Sequence, residues 1–301
     1  MSSTIIVGAE GSGRTFFSAL LYSSLVRYGG EVGDAFRFHA RPESLAALGT
    51  LYESVRAGEA PRWPDSANAP LVLDLQFPGH SPRGLLAHLH RDRDAQASSG
   101  TALLLERCST DEVARFVASG GALTSLGQAL LEGGALVVLL DGSGLKIDPG
   151  TSQPLAHPWD PVLSGLLRAL KLAVRDHPGA SKGPITPLLV VTKYDLVPDK
   201  VRATLLPNGG TMEGWTEESR VVAARELLSR YLPQSRAEWT SGMPAGLQLS
   251  PPVAFISWVR PDGGSGPAAR LKGHDTPARG WEPDFPYLEY RDLIERLRRL
   301  G

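Results

Sequence analysis

The sequence has little cysteine, few aromatic residues and almost no net charge. Cys108 is the only cysteine among 301 residues, so no disulfide can form within the chain, and a reducing compartment is expected. Aromatic residues make up 7%, and 31 basic residues nearly balance 32 acidic ones. Because a basic excess is the electrostatic signature of binding to nucleic acids or membrane surfaces, we expect neither as a partner.

Long hydrophobic runs are also missing. No stretch reaches the roughly 18 apolar residues that a membrane-spanning helix requires. The first residues lack the charged start and apolar run of a signal peptide. These absences predict a cytoplasmic protein without membrane insertion.

Short apolar runs alternate along the chain with segments of helical periodicity. The runs at 135–141 and 187–191 are almost wholly apolar, which is typical of strands buried on both faces of a parallel sheet. Strands at 71–77 and 102–106 are expected to form an antiparallel pair at one edge. The alternation predicts an α/β fold with helices on both faces of a mostly parallel sheet. Further strands are predicted at 4–7 and 253–257, and helices at 16–28, 42–57, 111–132, 161–176, 216–231 and 287–300.

No repeat or linker divides the chain, so residues 1–301 are predicted to form one domain. Stretches that are polar or rich in glycine, proline and serine are predicted to be surface insertions. They lie at about 78–101, 142–160, 234–252 and 261–286.

A glycine-rich loop follows the first predicted strand. It matches the phosphate-binding pattern G-x-x-x-x-G-K-[ST] except that Arg14 replaces the lysine. Glycines let backbone N–H groups point at a phosphate, the following helix adds its positive end, and Thr15 takes the position of the Mg²⁺-binding hydroxyl. The alternative is a turn that binds nothing. The candidate nucleotide-binding residues here are Gly8, Glu10, Gly11, Ser12, Gly13, Arg14, Thr15 and Phe16.

A second polar motif, Thr192-Lys193-Tyr194-Asp195, directly follows the strand at 187–191. A carboxylate at Asp195 can accept hydrogen bonds from the N1–H and the exocyclic amine of guanine, and adenine offers no such pair of donors. The aliphatic stem of Lys193 can lie over the base. Alone, this tetrapeptide is more often an ordinary loop. Downstream of a phosphate loop, and at the carboxyl end of a strand in the same sheet, it predicts nucleotide binding.

The segments GAEGSGRT and LLVVTKYD resemble the P-loop GTPases of the translation-factor-related (TRAFAC) class. The resemblance covers nearly the whole chain, since GALVVLLDGS matches the strand before the base-recognition strand and PPVAFISWV matches the strand before the last guanine loop. It implies a P-loop NTPase three-layer sandwich, mostly parallel with one antiparallel strand, that binds GTP or GDP with Mg²⁺. Ser257 and Trp258 would occupy the last guanine loop, which usually reads Ser-Ala.

The stretch from Gly58 to Ser66 resembles a segment of the bacterial double-GTPase group. In that group a threonine of the first switch stands where this chain has Ser66. The resemblance therefore implies Thr15 and Ser66 as Mg²⁺ ligands.

The second switch departs from the family pattern D-x-x-G. Glu106 replaces its aspartate and Ser109 replaces its glycine, so contacts to Mg²⁺ and the γ-phosphate are altered. Asp74 lies inside a strand, and Asp141 lies on the following strand, where we expect it to cap a turn with Gly142. Neither is a good substitute, and no residue is assigned as catalytic.

These features predict a guanine-nucleotide-binding regulatory or scaffold protein with protein partners and slow or absent GTP hydrolysis. One alternative is a catalytically active GTPase switch, to which a partner could supply missing groups. The other is a structural subunit that keeps the fold and binds no nucleotide.

Overall fold

The computed structural model describes residues 3–32, 36–40, 42–63, 71–76, 100–105, 108, 110–205, 215–262, 270–276 and 280–300. The strands are β1 (Ser3–Gly8), β2 (Arg37–Ala40), β3 (Leu71–Gln76), β4 (Gly100–Leu105), β5 (Gly134–Asp141), β6 (Lys146–Ile147), β7 (Pro154–Leu155), β8 (Ile185–Thr192), β9 (Val253–Ile256), β10 (Pro261–Asp262), β11 (Arg270–Leu271), β12 (Gly273–Thr276) and β13 (Gly280–Pro283). The helices are α1 (Arg14–Val32), α2 (Pro42–Arg56), α3 (Thr110–Ala118), α4 (Ser125–Leu131), α5 (Asp160–Asp176), α6 (Asp199–Leu205), α7 (Glu217–Glu226), α8 (Pro233–Thr240) and α9 (Tyr287–Leu300). None of these helices combines the length and hydrophobicity needed to span a lipid bilayer.

A four-stranded parallel sheet with the order β1-β5-β8-β9 forms the centre of the fold. Every residue of β8 is buried, and β5 is buried up to Asp141 at its end. Their valine-rich and leucine-rich sequences suit strands that are covered on both faces. The register places Asp141 directly opposite Thr192, so the polar residues that end these two strands lie side by side.

A second, antiparallel sheet has the order β2-β3-β4, with β4 beside β1. The predicted antiparallel pair is confirmed, with Leu71 opposite Leu105 and Gln76 opposite Gly100. β2 extends this sheet by one short strand that the sequence did not predict. The predicted α/β fold with a mostly parallel sheet is therefore confirmed.

Helices cover both faces of the parallel sheet, which gives three layers. Side chains alternate along β5, so that Leu136 and Val138 pack with α3, α4 and α5, while Val137 and Leu139 pack with α1, α2 and α9. Each face of the sheet thus has its own apolar core. The sheet is held rigidly between them, and its carboxyl edge is left for polar loops.

The segment predicted as one helix at 111–132 is two helices, α3 and α4. Gly120 and Gly121 have φ angles of +63° and +102°, which are left-handed values that L side chains rarely adopt. The second helix then begins at a new cap, where the Thr124 hydroxyl accepts a hydrogen bond from the Gly127 N–H at 3.2 Å. Apolar periodicity continues across the break, which is why the pattern alone predicts a single helix.

Two predicted surface insertions, 142–160 and 234–252, contribute to the interior. Asp160 is fully buried, and its carboxylate accepts hydrogen bonds from the N–H groups of Gln234 and Ser235, each at 2.9 Å. These bonds fix the start of α8 against the start of α5. A buried carboxylate is tolerated when its oxygens are paired in this way, so polar composition alone is a poor guide to exposure here. The insertion at 78–101 lies outside the described residues except for its last two positions.

Candidate functional site

The glycine loop joins β1 to α1 in the predicted position. Gly11 and Gly13 have φ angles of +76° and +80°, and Ser12 between them is buried. The Phe17 N–H donates to the Gly13 carbonyl at 2.8 Å, which starts the hydrogen bonding of α1 directly at the loop. The first amides of α1 therefore face the loop without partners inside the helix, as an anion-binding helix start requires.

Thr192 connects the glycine loop to the second motif. Its buried hydroxyl lies 2.7 Å from the Ser12 carbonyl and 3.1 Å from the Leu140 carbonyl, and it can donate to either. The first residue of the TKYD motif therefore fixes the backbone of the glycine loop. The two motifs that the sequence identified separately form one unit.

We expect Thr192→Val to weaken nucleotide binding about fivefold to tenfold while leaving the fold intact. Valine keeps the shape of threonine but cannot donate to the Ser12 carbonyl, so the loop loses a hydrogen bond worth about 1 kcal/mol. Thr186→Val is the matched control, because Thr186 is buried on the same strand and, in the part of the chain described, makes no hydrogen bond to the loop. Titration with fluorescent GDP measures both variants, and equal affinities would contradict a role for the Thr192 hydroxyl.

A cavity of about 370 Å³ lies in front of the glycine loop. Thr15 and Arg14 line it at the start of α1, and Pro61 and Trp63 close it from the segment after α2. Neither Pro61 nor Trp63 is among the candidate binding residues that the sequence identified. The further residues of the motif that line this cavity are Glu10, Gly11, Gly13 and Phe16.

A second cavity of about 290 Å³ lies beside the TKYD motif. Asp195, Ser257 and Trp258, three of the residues predicted to bind the base, line this cavity. Gly13, Phe16 and Lys193 line both cavities, so the two adjoin. Most of the predicted phosphate and base residues are thereby brought together around these two adjoining cavities, which together form a groove, while Gly8 and Ser12 line neither cavity.

Asp195 is half-buried at the edge of this second cavity. Burial raises the pKa of its carboxyl group above the ordinary value, although the positive charges of Arg202, Arg260 and Lys193 oppose the shift. A partly desolvated carboxylate gains more from a pair of ligand N–H donors than an exposed one does, since water competes less for its oxygens.

Ser257 is used by the fold rather than left open to a ligand. Its N–H donates to the Val191 carbonyl at 2.8 Å, and its carbonyl accepts from the Tyr194 N–H at 3.1 Å. Its hydroxyl shares a hydrogen bond of 2.6 Å with the hydroxyl of Tyr290 on α9. The next residue, Trp258, also lines the cavity, and the guanidinium of Arg260 lies 4.9 Å from the centre of its ring.

Arg14 contacts the stretch predicted as the second switch. Its Nη1 donates to the backbone carbonyl of Cys108, which is buried. Glu106, Ser109 and Ser66 themselves lie outside the described residues. Within the described ranges no group of three or more His, Cys, Asp or Glu side chains gathers in the manner of a metal site.

Asp141 has the expected capping role and a second one that the sequence did not indicate. Its Oδ1 accepts from the Ser143 N–H at 2.9 Å and from the Ser143 hydroxyl at 2.7 Å. Its Oδ2 accepts from Lys193 Nζ at 2.6 Å. Burial alone would raise the pKa of Asp141, but the bonds from Lys193 and Ser143 outweigh it and hold the pKa below the ordinary value. Asp141 is therefore charged at neutral pH.

The sheet topology and the position of the glycine loop are those of an α/β protein with a P-loop NTPase-like fold. A glycine loop between a strand and a helix faces a second polar motif at the carboxyl end of a parallel strand in the same sheet. No family model and no curated protein matches the chain.

A solved structure that aligns with the chain is the "Signal recognition particle receptor SRb-GTP/SRX complex from Chaetomium thermophilum". The alignment has 13% identity and a TM-score of 0.35, over 89% of this chain and 94% of that one. At such values the likeness supports no conclusion, so fold and function rest on this chain's own residues.

Proposed function

We propose that the chain is a GTPase-like regulatory or scaffold protein of the TRAFAC class that binds GDP or GTP and acts with protein partners in the cytoplasm. The observation that carries this proposal is the pair of adjoining cavities that share Lys193 as a wall, one lined by the glycine loop and the other by Asp195. A nucleotide has the same division into a phosphate part and a base part.

The phosphate half of the groove suits a polyanion. The amides of the loop and the start of α1 supply a partial positive charge, and Arg14 adds a full one. The planar guanidinium of Arg14 pairs best with two oxygens at once, unlike the lysine usual at this position. Thr15 lines the same cavity and could place its hydroxyl on Mg²⁺, with Ser66 as the second proposed ligand.

The base half of the groove suits guanine. The Asp195 carboxylate can accept from N1–H and from the exocyclic amine of guanine. Adenine offers no such pair of donors, and its N1 is itself an acceptor that a carboxylate oxygen would repel. Phe16, Lys193 and Trp258 surround this half with aromatic rings and an aliphatic stem, and both kinds of group pack well on a purine.

Slow or absent hydrolysis follows from the residues that replace the usual switch groups. Glu106 and Ser109 stand in place of the aspartate and glycine that act on Mg²⁺ and the γ-phosphate. Transition-state contacts supply most of the rate of phosphoryl transfer, so several simultaneous changes should remove most of it. Such a protein would adopt different conformations with GDP and with GTP, and partner proteins would bind one of these conformations in preference to the other.

Binding of labelled GDP, GTP and ATP to the purified chain tests the proposal. We expect saturable binding of both guanine nucleotides and affinity for ATP lower by about 100-fold or more. Single-turnover hydrolysis of GTP should be about 10⁻⁵ s⁻¹ or slower, at least about tenfold below the roughly 4 × 10⁻⁴ s⁻¹ of an intact GTPase without an activating partner. Equal binding of ATP and GTP would contradict the assignment of Asp195 as the residue that recognises guanine. If no nucleotide bound at all, the chain would instead be a structural subunit that keeps only the fold. Faster hydrolysis would show an active switch.

A further inference from the structure

The turn that follows β5 packs directly on the backbone of the TKYD motif. Gly142 lies so close that an added Cβ would be 2.6 Å from the Thr192 carbonyl oxygen and 2.9 Å from the Lys193 carbonyl oxygen. A side chain at this position would therefore push the two segments apart. Asp141, immediately before Gly142, is thereby held beside Lys193.

Lys193 has an unusual backbone, and its ammonium group is anchored. Its φ angle of +48° is left-handed, which is uncommon for a residue with a side chain. The ion pair of 2.6 Å between its Nζ and the Asp141 carboxylate fixes the far end of the side chain. Since both ends are constrained, the aliphatic stem has few positions open to it, and it forms the wall that the two halves of the groove share.

Asp141 is itself held from two sides. Ser143 donates twice to its Oδ1, and buried His157 lies with its Nε2 3.1 Å from the Asp141 backbone carbonyl. The other ring nitrogen, Nδ1, accepts from the Trp159 N–H at 3.2 Å. With Nδ1 accepting, the ring proton lies on Nε2, and His157 donates to Asp141 as a neutral imidazole.

We propose that Asp141, oriented by Ser143 and His157, is a positioning residue that holds the stem of Lys193 in the place where it packs on the nucleotide base. This inference rests on the proposed function, because the base is the group against which Lys193 would be positioned. The chain of contacts runs from His157 through Asp141 to Lys193, so Asp141 acts on the ligand through Lys193.

Asp141→Asn tests this proposal with little change to the turn. Asparagine keeps a side-chain oxygen that can accept from Ser143, but it loses the charge that pairs with Lys193. We expect GDP affinity to fall about tenfold, as for a lost charge-assisted hydrogen bond. The unfolding midpoint in urea, measured alongside, should stay near that of the wild type.

Asp148→Asn is the matched control. Asp148 caps a turn in the same way, with its Oδ1 accepting from the N–H groups of Gly150 and Thr151 at 2.7 and 2.9 Å. Among the described residues its carboxylate bonds to no group outside that turn. This variant should bind GDP with wild-type affinity, whereas a tenfold loss in it as well would attribute the effect to turn capping and overturn the proposal.

A double-mutant cycle separates positioning from general stabilisation. In a Lys193→Met background, adding Asp141→Asn should reduce GDP affinity by less than about twofold, because the residue through which Asp141 acts is already gone. A further tenfold loss in the double variant would overturn the proposal. So would wild-type affinity in the Asp141→Asn single variant.

A measurement without nucleotide keeps this proposal distinct from the proposed function. Acetylation of Lys193, followed by mass spectrometry of ligand-free protein, should be at least about twofold faster in Asp141→Asn than in the wild type. Suppose that acetylation is faster in Asp141→Asn but that the wild type binds no guanine nucleotide. The ion pair between Asp141 and Lys193 would then be confirmed, and both the proposed function and the positioning role would be wrong. If the wild type bound GDP and the acetylation rates were equal, only the positioning role would fail.

Discussion

Replacing Asp195 by asparagine should lower the affinity for GDP by about 100-fold or more and create affinity for xanthosine diphosphate. The amide of asparagine offers one acceptor and one donor, so one of the two guanine N–H groups would face a donor. A charge-assisted hydrogen bond is worth about 1.5–3 kcal/mol, and each 1.4 kcal/mol is a tenfold change in affinity. Xanthine carries a carbonyl in place of the exocyclic amine, and the new amide can donate to it.

Asp199→Asn is the control for this change. Asp199 lies four residues after Asp195, at the start of α6, and its side chain is 95% exposed. The same change of aspartate to asparagine there should leave nucleotide binding unchanged. Competition titration with GDP, xanthosine diphosphate and ADP measures all three proteins. If Asp195→Asn kept the wild-type preference for GDP, Asp195 would not contact the base.

Replacing Arg220 by methionine should lower the free energy of unfolding by about 3–5 kcal/mol. Arg220 lies on α7 with 3% of its side chain exposed, and its two terminal nitrogens bind the Glu289 carboxylate at 2.6 and 2.8 Å. Asp292 accepts a third bond at 2.9 Å. Methionine fills similar space but leaves the buried charge of Glu289 without its partner.

The loss of stability should become smaller as the pH is lowered from 7 towards 5. Burial raises the pKa of Glu289, and Arg220 opposes that shift, so the pKa rises further when the arginine is removed. A carboxyl group whose pKa is higher in the folded state binds more protons there than in the unfolded chain. The destabilisation caused by the charged Glu289 carboxylate is therefore greatest at high pH. It diminishes at lower pH, as the carboxyl group becomes protonated in both the folded and the unfolded state.

Urea denaturation at both pH values measures this effect, with Arg225→Met as the control. Arg225 is exposed on the same helix, so its replacement should change the free energy of unfolding by less than about 0.5 kcal/mol. A loss at Arg220 that is similarly small would show that the Arg220–Glu289 pair is not required. A large loss that is equal at both pH values would show that the charge left on Glu289 is not its cause.

Sequence patterns predict the centre of this fold well and its periphery poorly. β5 and β8 are long and apolar throughout, so they could hardly be anything but buried strands. β6 and β10, by contrast, have two residues each, and two residues contain no period to detect. Their positions depend on the partner strand and on the turn, which only the folded chain brings together.

The residues of the candidate site likewise include some that the sequence could identify and some that it could not. Thr192 and Asp195 could be identified because the first ends a buried strand and the second follows that strand within a few residues. The pair of Asp141 and Lys193 crosses 52 residues and depends on the register between β5 and β8, which the sequence does not specify. The roles predicted for Ser66, Glu106 and Ser109 remain predictions, since they lie outside the described residues.

The hydrogen bond between Ser257 and Tyr290 sets an order of events during synthesis. Ribosomes release a chain amino end first, and Tyr290 follows Ser257 by 33 residues, on a helix that comes after every strand of the sheet. The nascent chain can therefore build its whole sheet before the loop beside Asp195 gains this support. The proposed nucleotide binding is therefore expected to arise late in synthesis, after α9 has packed.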